Sequence, residues 1–210
     1  MLSELKHNFS IIGLTETKFN TSKEQICNTC ILVYVFVSQS SLSNAGGTGF
    51  FISEKLSFNT RCDLSEAIAD FESLWIKIHS NLQHNLVGVV IYRHPHSSLD
   101  SFLNYLTRCL EKINRENKYC VLKGDFNINL LNVDSHLATD EFLDTLTQYY
   151  YNSHILQPTR IAHHSATLID NIFFNSTEHH TISGNVIYEL TDYLSNFIII
   201  NKFNYLPKNS

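Results

Sequence analysis

No stretch of this sequence approaches the roughly 20 consecutive apolar residues that span a bilayer, and residues 1–7 lack the charged-then-apolar order of a secretory leader. These absences predict an intracellular chain with no membrane partner. Paired cysteines are also lacking: the count of five is odd and shows no repeated pair spacing, which argues against a secreted disulfide framework. Cys27 and Cys30 form one Cys-x-x-Cys, with no second pair and no neighbouring His pair at ligand spacing, so two half-buried thiols compete with a zinc or redox site. There is no basic excess either. A formal net charge of -5 argues against broad electrostatic capture of nucleic acid, though not against a partner that reaches the protein through a metal ion. Internal repeats, low-complexity tracts and linkers are absent, so residues 1–210 read as a single domain.

What is present is a set of short apolar runs that stop at acids. Residues 119–131 read Tyr-Cys-Val-Leu-Lys-Gly-Asp-Phe-Asn-Ile-Asn-Leu-Leu: a buried strand ends at Gly124 and presents Asp125 and Asn127, two apart and hence expected on one face. Residues 11–14 end at Thr15-Glu16-Thr17. Residues 31–37 read as a strand, and Gly46-Gly47-Thr48-Gly49 as the turn entering the next. No Lys or helix follows those glycines, as a phosphate-cradling loop would need. Residues 73–78 and 85–92 predict an antiparallel pair, with Tyr92 near the strand end because Pro95 cannot continue a central strand.

From Ser98 the period changes. Leu99, Phe102, Leu103, Leu106, Leu110 and Ile113 fall at helical intervals, with Asn104, Arg108, Glu111 and Lys112 on the solvated face. The strand at 119 follows, which gives a β, α, β order and an α/β class. Thr139-Asp140-Glu141 carries capping chemistry for a second helix through Phe142, Leu143 and Leu146, ended by a Tyr149–Tyr151 aromatic cluster. Residues 166–174 read as one strand with Asp170 embedded in it, a carboxylate that needs a partner. Asp192 precedes the last apolar run, at 197–200. The adjacent pairs His163-His164 and His179-His180 are expected to point apart, which disfavours metal binding.

Glu16, Tyr92, Asp125 with Asn127, Asp170 and Asp192 thus stand at five strand ends. Clustered carboxylates can hold Mg²⁺ while leaving places for water and phosphate, and a neighbouring carboxylate can take a proton from an attacking water. In this order, Leu-Thr-Glu-Thr, Gly-Gly-Thr-Gly, Glu-Ser-Leu-Trp, Ile-Tyr-Arg-His-Pro, Gly-Asp-Phe-Asn-Ile-Asn-Leu-Leu, Pro-Thr-Arg-Ile, Ala-Thr-Leu-Ile-Asp-Asn-Ile-Phe and Thr-Asp-Tyr-Leu resemble the endonuclease/exonuclease/phosphatase family. The sequence looks most like the endonuclease domain of LINE-type non-LTR retrotransposons, relatives of the AP endonucleases, over nearly the whole chain.

That resemblance implies a deoxyribonuclease-I-like four-layer α/β sandwich, two mainly antiparallel sheets flanked by helices, and Mg²⁺-dependent (or Mn²⁺-dependent) hydrolysis of DNA. It implies Glu16 as metal ligand, Asp125 as base or aligner of water, Asn127 and Tyr92 on the phosphate, Asp192 assisting metal or water, and Asp170 orienting a His. Two departures stand out. The family's Ser-Asp-His is here Thr191-Asp192-Tyr193, so a phenol with an ordinary pKa near 10 replaces an imidazole. Loss of such a group costs about 10² to 10⁴ in rate. The family's first strand, with a metal-site Asn, is not matched, because only about ten residues precede the Leu-Thr-Glu-Thr motif and Asn8 lies too close to it. An uncovered sheet edge and self-association are then expected. No reverse transcriptase follows, and an impaired, degraded copy of a retroelement endonuclease fits these facts. An inactive nucleic-acid- or protein-binding remnant of the same fold is the alternative, and a phosphate-monoester or lipid-headgroup substrate is a third reading.

Overall fold

The computed structural model describes residues 8–18, 31, 33–42, 46–79, 85–187 and 192–201. Cys27, Cys30 and Thr191 lie outside the described residues. In chain order the elements are β1 (Ile11–Thr15), β2 (Tyr34–Gln39), β3 (Thr48–Ser53), β4 (Phe58–Thr60), β5 (Glu66–Ala67), β6 (Phe71–Ile78), β7 (Leu86–Arg93), α1 (Leu99–Arg115), β8 (Tyr119–Asp125), α2 (Leu137–Thr147), β9 (Asn152–Ser153), β10 (Arg160–Ala162), β11 (Ser165–Thr167), β12 (Asp170–Phe174), β13 (Thr181–Val186) and β14 (Ser195–Ile200). A 3-10 turn at Leu130–Asn132 precedes α2.

A seven-stranded sheet forms the platform, ordered β4-β6-β7-β8-β12-β9 with β5 beside β6. The expected pair is there: β6 and β7 run antiparallel over their full length. The β7-α1-β8 unit makes β7 and β8 parallel, as a helical crossover allows and a hairpin does not. Two smaller sheets, β1-β3-β2 and β13-β14, lie across the platform's other face.

Two cores follow from this layering. On one face Trp75, Val89, Leu122 and Phe173 of the sheet pack against Phe102, Leu106 and Leu110 of α1 and Phe142 of α2. On the other, Leu74, Ile76, Val90 and Phe174 meet Phe50 and Ile52 of β3, with Ile11, Ile198 and Ile200 half-buried against them. The alternation of Leu74 and Ile76 against Trp75 therefore sends side chains into two different cores, and β6 is buried on both faces.

Helix α1 starts at Ser98, whose hydroxyl accepts the Ser101 N–H at 3.2 Å. Its polar face is paired rather than merely solvated: Arg108 reaches Glu66 and Lys112 reaches Asp63. Helix α2 departs from expectation. It begins two residues before Thr139, with His136 at its cap and no side-chain cap bond. Thr139 is fully buried and donates to the Asn129 carbonyl at 3.3 Å, so tertiary burial overrides its capping chemistry. At the end of α2, Tyr151 is buried while Tyr150 is exposed in the left-handed region. The 166–174 run is broken: Leu168 and Ile169 leave the sheet because their carbonyls accept the N–H groups of Leu130 and Phe126. His163 and His164 do not point apart, since the β10–β11 turn brings their rings to 4.1 Å between centroids. Among the described residues no helix is long and apolar enough to cross a membrane.

Candidate active site

Three neighbouring strand ends bring the sequence-distant acids together. Asp125, the last residue of β8, stands directly opposite Asp170, the first of β12, and Tyr92 of β7 lies beside Asp125 in the parallel register. Residues in register share a face, so these three side chains project from one side of the platform. Asp125 is only 4% exposed. Burial, reinforced by the charge of Asp170, raises its carboxyl to about 7, against the opposing Asn127 N–H bond. Asp170 is raised for the same first reason, burial, and held down by Lys123 and the Thr159 hydroxyl. Lys123, on β8 two residues before Asp125, is itself lowered by burial and held up by both acids.

Asn127 does not project beside Asp125. Strand β8 ends at Asp125, Asn127 adopts φ 48°, and its side-chain amide donates back to the Arg93 carbonyl at 2.7 Å. The same-face expectation assumed extended backbone through residue 127. What Asn127 gives the site is its main-chain N–H, which donates to Asp125 Oδ1 at 3.0 Å.

Glu16 comes from the facing sheet, at the tip of β1 in an exposed left-handed turn with φ 52°. The Tyr92 hydroxyl donates to Glu16 Oε1 at 3.0 Å, which joins the two sheets at this rim. Burial and then the Glu16 charge push the Tyr92 phenol well above its usual range, so it stays a donor. The turn is held from behind. Thr17 and Lys18 donate their N–H groups to the carbonyls of Gly47 and Gly46 at 3.1 and 2.7 Å. The Gly47 N–H in turn donates to Glu72, which is 1% exposed and also accepts from the Ser41 hydroxyl. A Cβ on Gly46 would overlap the Glu72 carboxylate, and Gly47 has φ 100°, so both glycines are required. His94 approaches Glu72 at 3.4 Å and packs edge-on against Tyr92. The glycine run is the turn into β3, as its sequence suggested, and it also cradles the Glu16 loop.

On the far side, Thr159 is the hub. Its hydroxyl donates to Asp170 Oδ2 at 3.0 Å and accepts the Asp170 N–H at 3.1 Å. Its carbonyl accepts the Leu194 N–H at 2.7 Å, and Ile161 N–H donates to the Asp192 carbonyl at 2.8 Å. Residues 192–194 are thereby strapped along β10. The Asp192 residue is exposed. Tyr193, 40% exposed, bridges Arg160 through the main chain, and the Arg160 guanidinium lies over its ring at 4.9 Å. The Tyr193 phenol is raised, first by burial, with Arg160 opposing and the charges of Asp125, Glu16 and Asp170 adding to it. Residue 193 therefore sits within the field of the acids.

Among the described residues no three His, Cys, Asp or Glu side chains converge into a ready-made metal cage. The donors do fit Mg²⁺ in its usual protein setting, one or two carboxylates with the remaining places left to water and phosphate. Glu16, exposed and fixed through one oxygen by Tyr92, fits as such a ligand, with Asp192 as the second candidate. Sequence reading missed Glu72, Thr159 and Arg160. The Pro-Thr-Arg motif was visible as a segment, yet nothing local tells that its hydroxyl serves Asp170, eleven residues away.

No protein-family model matches this sequence, and no curated protein does. Solved structures do. The catalytic domain of Xenopus laevis APE2 superposes with a TM-score of 0.73 at 14% identity, over 100% of this chain and 88% of that one. The endonuclease domain of TRAS1, a telomere-specific non-LTR retrotransposon, gives 0.62 at 12% identity, over 83% and 81%. An endonuclease/exonuclease/phosphatase family protein from Bacteroides thetaiotaomicron gives 0.62 at 14%, over 92% and 84%. A mixed seven-stranded platform, smaller antiparallel sheets packed across it and acids gathered at one rim are thus the α/β sandwich of the endonuclease/exonuclease/phosphatase proteins, and this chain has that fold.

Proposed function

We propose that the chain is a Mg²⁺-dependent endonuclease-type phosphodiesterase domain of retrotransposon origin that acts on DNA and whose hydrolysis is impaired. The observation that carries the reading is the Asp125–Asp170 pair at adjoining strand ends, with Tyr92 beside it on the same sheet and bonded to Glu16 from the facing sheet. The TRAS1 likeness supports the retroelement origin, and a Neisseria 3' phosphatase solved with a product DNA hairpin supports the substrate class.

A carboxylate that titrates at about 7 is suited to take a proton from water near neutrality. In this reading Asp125 is that base, aligned by the Asn127 N–H, and its ionised fraction grows as pH rises through about 7. Tyr92, kept protonated, has a single O–H, which donates to Glu16 and would turn to a phosphoryl oxygen placed beside it. Glu16, with Asp192, would hold the metal, which when bound supplies positive charge to the phosphoryl oxygens. Impairment rests on position 193: a phenol lying under Arg160 gives neither the proton exchange of an imidazole near pH 7 nor its charge. The same stack favours the second reading, a remnant that binds DNA or protein without cutting, because Arg160 and Tyr193 present a cation and a ring at the rim.

Nicking of supercoiled plasmid with Mg²⁺ tests this. Tyr193→His should raise the rate by about 10² or more, and Asp125→Ala in that background should abolish the gain. Full activity in the natural protein would overturn the impairment. Tight Mg²⁺-independent DNA binding with no nicking by either variant would give the site to the second reading.

A further inference from the structure

Tyr92 and Arg93 are successive residues of β7 and so project to opposite faces of the platform. Tyr92 reaches the acid rim, whereas Arg93 follows Val89 and Ile91 onto the face that carries the helices and runs behind the end of β8. Arg93 is 7% exposed, and among the described residues it forms no ion pair with a carboxylate. Its Nε is buried without a hydrogen-bond partner, and burial lowers the guanidinium from its usual range with Asp70 opposing. A cation buried in this way costs stability, and a packed apolar side chain in its place would cost less. What it supplies lies at the two tips of its fork. Nη2 donates to the Ser97 carbonyl at 2.5 Å, next to the Ser98 cap of α1, and Nη1 donates to the Phe126 carbonyl at 3.4 Å.

The Phe126 carbonyl belongs to the same peptide unit as the Asn127 N–H. In a trans peptide these two groups point in opposite directions, so one rigid plane meets the Arg93 guanidinium at its oxygen and Asp125 Oδ1 at its hydrogen. A cation at the oxygen draws electron density from the nitrogen and makes the N–H a stronger donor. The turn is steadied on both sides of that plane. The Asn127 side-chain amide donates to the carbonyl of Arg93 itself at 2.7 Å, and the Phe126 N–H donates to the Ile169 carbonyl at 2.9 Å. We propose that Arg93 is a positioning residue for Asp125, one that aims and polarises the Phe126–Asn127 peptide from behind so that its N–H meets the carboxylate. This deepens the proposed function, in which Asp125 is the base, and Arg93 itself touches no reacting atom.

The test follows the Asp125 carboxyl by carbon NMR through a pH titration of the full chain and of its Arg93→Met and Arg93→Lys variants. Weaker donation favours the neutral acid, so Arg93→Met should raise the Asp125 midpoint from about 7 by about half a pH unit, roughly a threefold loss of carboxylate below the midpoint. Asp170, Glu16 and Lys123, the charged groups that act on Asp125, are the same in all three chains. Arg93→Lys keeps a cation that can reach one carbonyl and should recover much of that rise. A residue that only filled space would lower stability and leave the midpoint in place, so an unmoved midpoint in Arg93→Met overturns the proposal, as does a Lys variant no different from Met. If Arg93→Met does not fold, the natural chain decides: its Asn127 amide proton should resonate downfield of the unbonded amides, and a place among them overturns the proposal too. Nicking by the same variants in the Tyr193→His chain bears on the function instead, because the pH of half-maximal rate should rise with the Asp125 midpoint. A shifted carboxyl with no nicking by any variant keeps the role of Arg93 and removes the proposed function. An unmoved carboxyl removes the role however well the chain cuts.

Discussion

Every residue of β7 is buried, and all but one of β6, whereas every described residue of β1 and β2 is only partly buried. The platform has a core on each face, while the smaller sheets cover it from one side. This difference divides the candidate site. Tyr92, Asp125 and Asp170 stand on the thick half, and Glu16 and the Asp192-Tyr193 segment reach it from the thin half through a handful of hydrogen bonds. The acids that must stay fixed relative to one another are in one rigid ladder. Glu16 and Asp192, which would hold the metal under the proposed function, come from the less buried half.

The largest effect expected from this contrast is at Trp75, fully buried on the platform with its indole N–H donating to the Tyr105 hydroxyl at 2.7 Å. Trp75→Ala should cost about 3–5 kcal/mol in urea unfolding. A loss below about 1 kcal/mol would mean that the platform is not the stable half.

Next is the pH dependence of Asp125. Its folded-state carboxyl, at about 7, lies above its unfolded value near 3.9, so its contribution to stability is fully present at acid pH and is lost as pH rises through about 7. Asp125→Asn, which cannot ionise, should therefore gain stability over the natural protein between about pH 5 and pH 8, by roughly 1–3 kcal/mol. An unchanged difference across that range would place the titration elsewhere.

Glu72→Gln probes the join between the halves. It should cost about 1–2 kcal/mol and, more tellingly, speed amide exchange at Thr17 and Lys18, whose donors end on the glycine loop that Glu72 holds. Uniform destabilisation without that local signature would separate Glu72 from Glu16. The smallest effect belongs to Ile182 on β13, which is 51% exposed: Ile182→Ala should change unfolding by no more than about 0.5 kcal/mol. A cost near that of Trp75 would erase the contrast between the halves.

The thick half was also the legible half. Helical spacing at Leu99, Phe102, Leu106 and Leu110 gave α1, and the β, α, β order gave the α/β class, because continuous burial leaves a regular trace in sequence; that β7 and β8 run parallel came from the structure. The strand end at Asp125 was readable for the same reason. Where the sequence misled, the deciding contact was distant or the backbone left the regular period. Asn127 turns left-handed and spends its amide on Arg93, Thr139 is drawn inward by Asn129, and Leu168 and Ile169 leave the strand to serve residues 126–130. Glu72 entered the sequence reading only within the Glu-Ser-Leu-Trp motif, ahead of the strand read at 73–78, and only the fold puts the glycine loop over it.

Thr159 has a consequence for how such a site tolerates change. The Thr159 hydroxyl fixes Asp170, while its carbonyl accepts the main-chain N–H of Leu194, a bond that does not depend on the side chain at 193. A lineage can therefore exchange the side chain at 193 without unmooring the carboxylate pair. Under the proposed function, a change at that position alters the rim chemistry and leaves the Asp125–Asp170 scaffold in place.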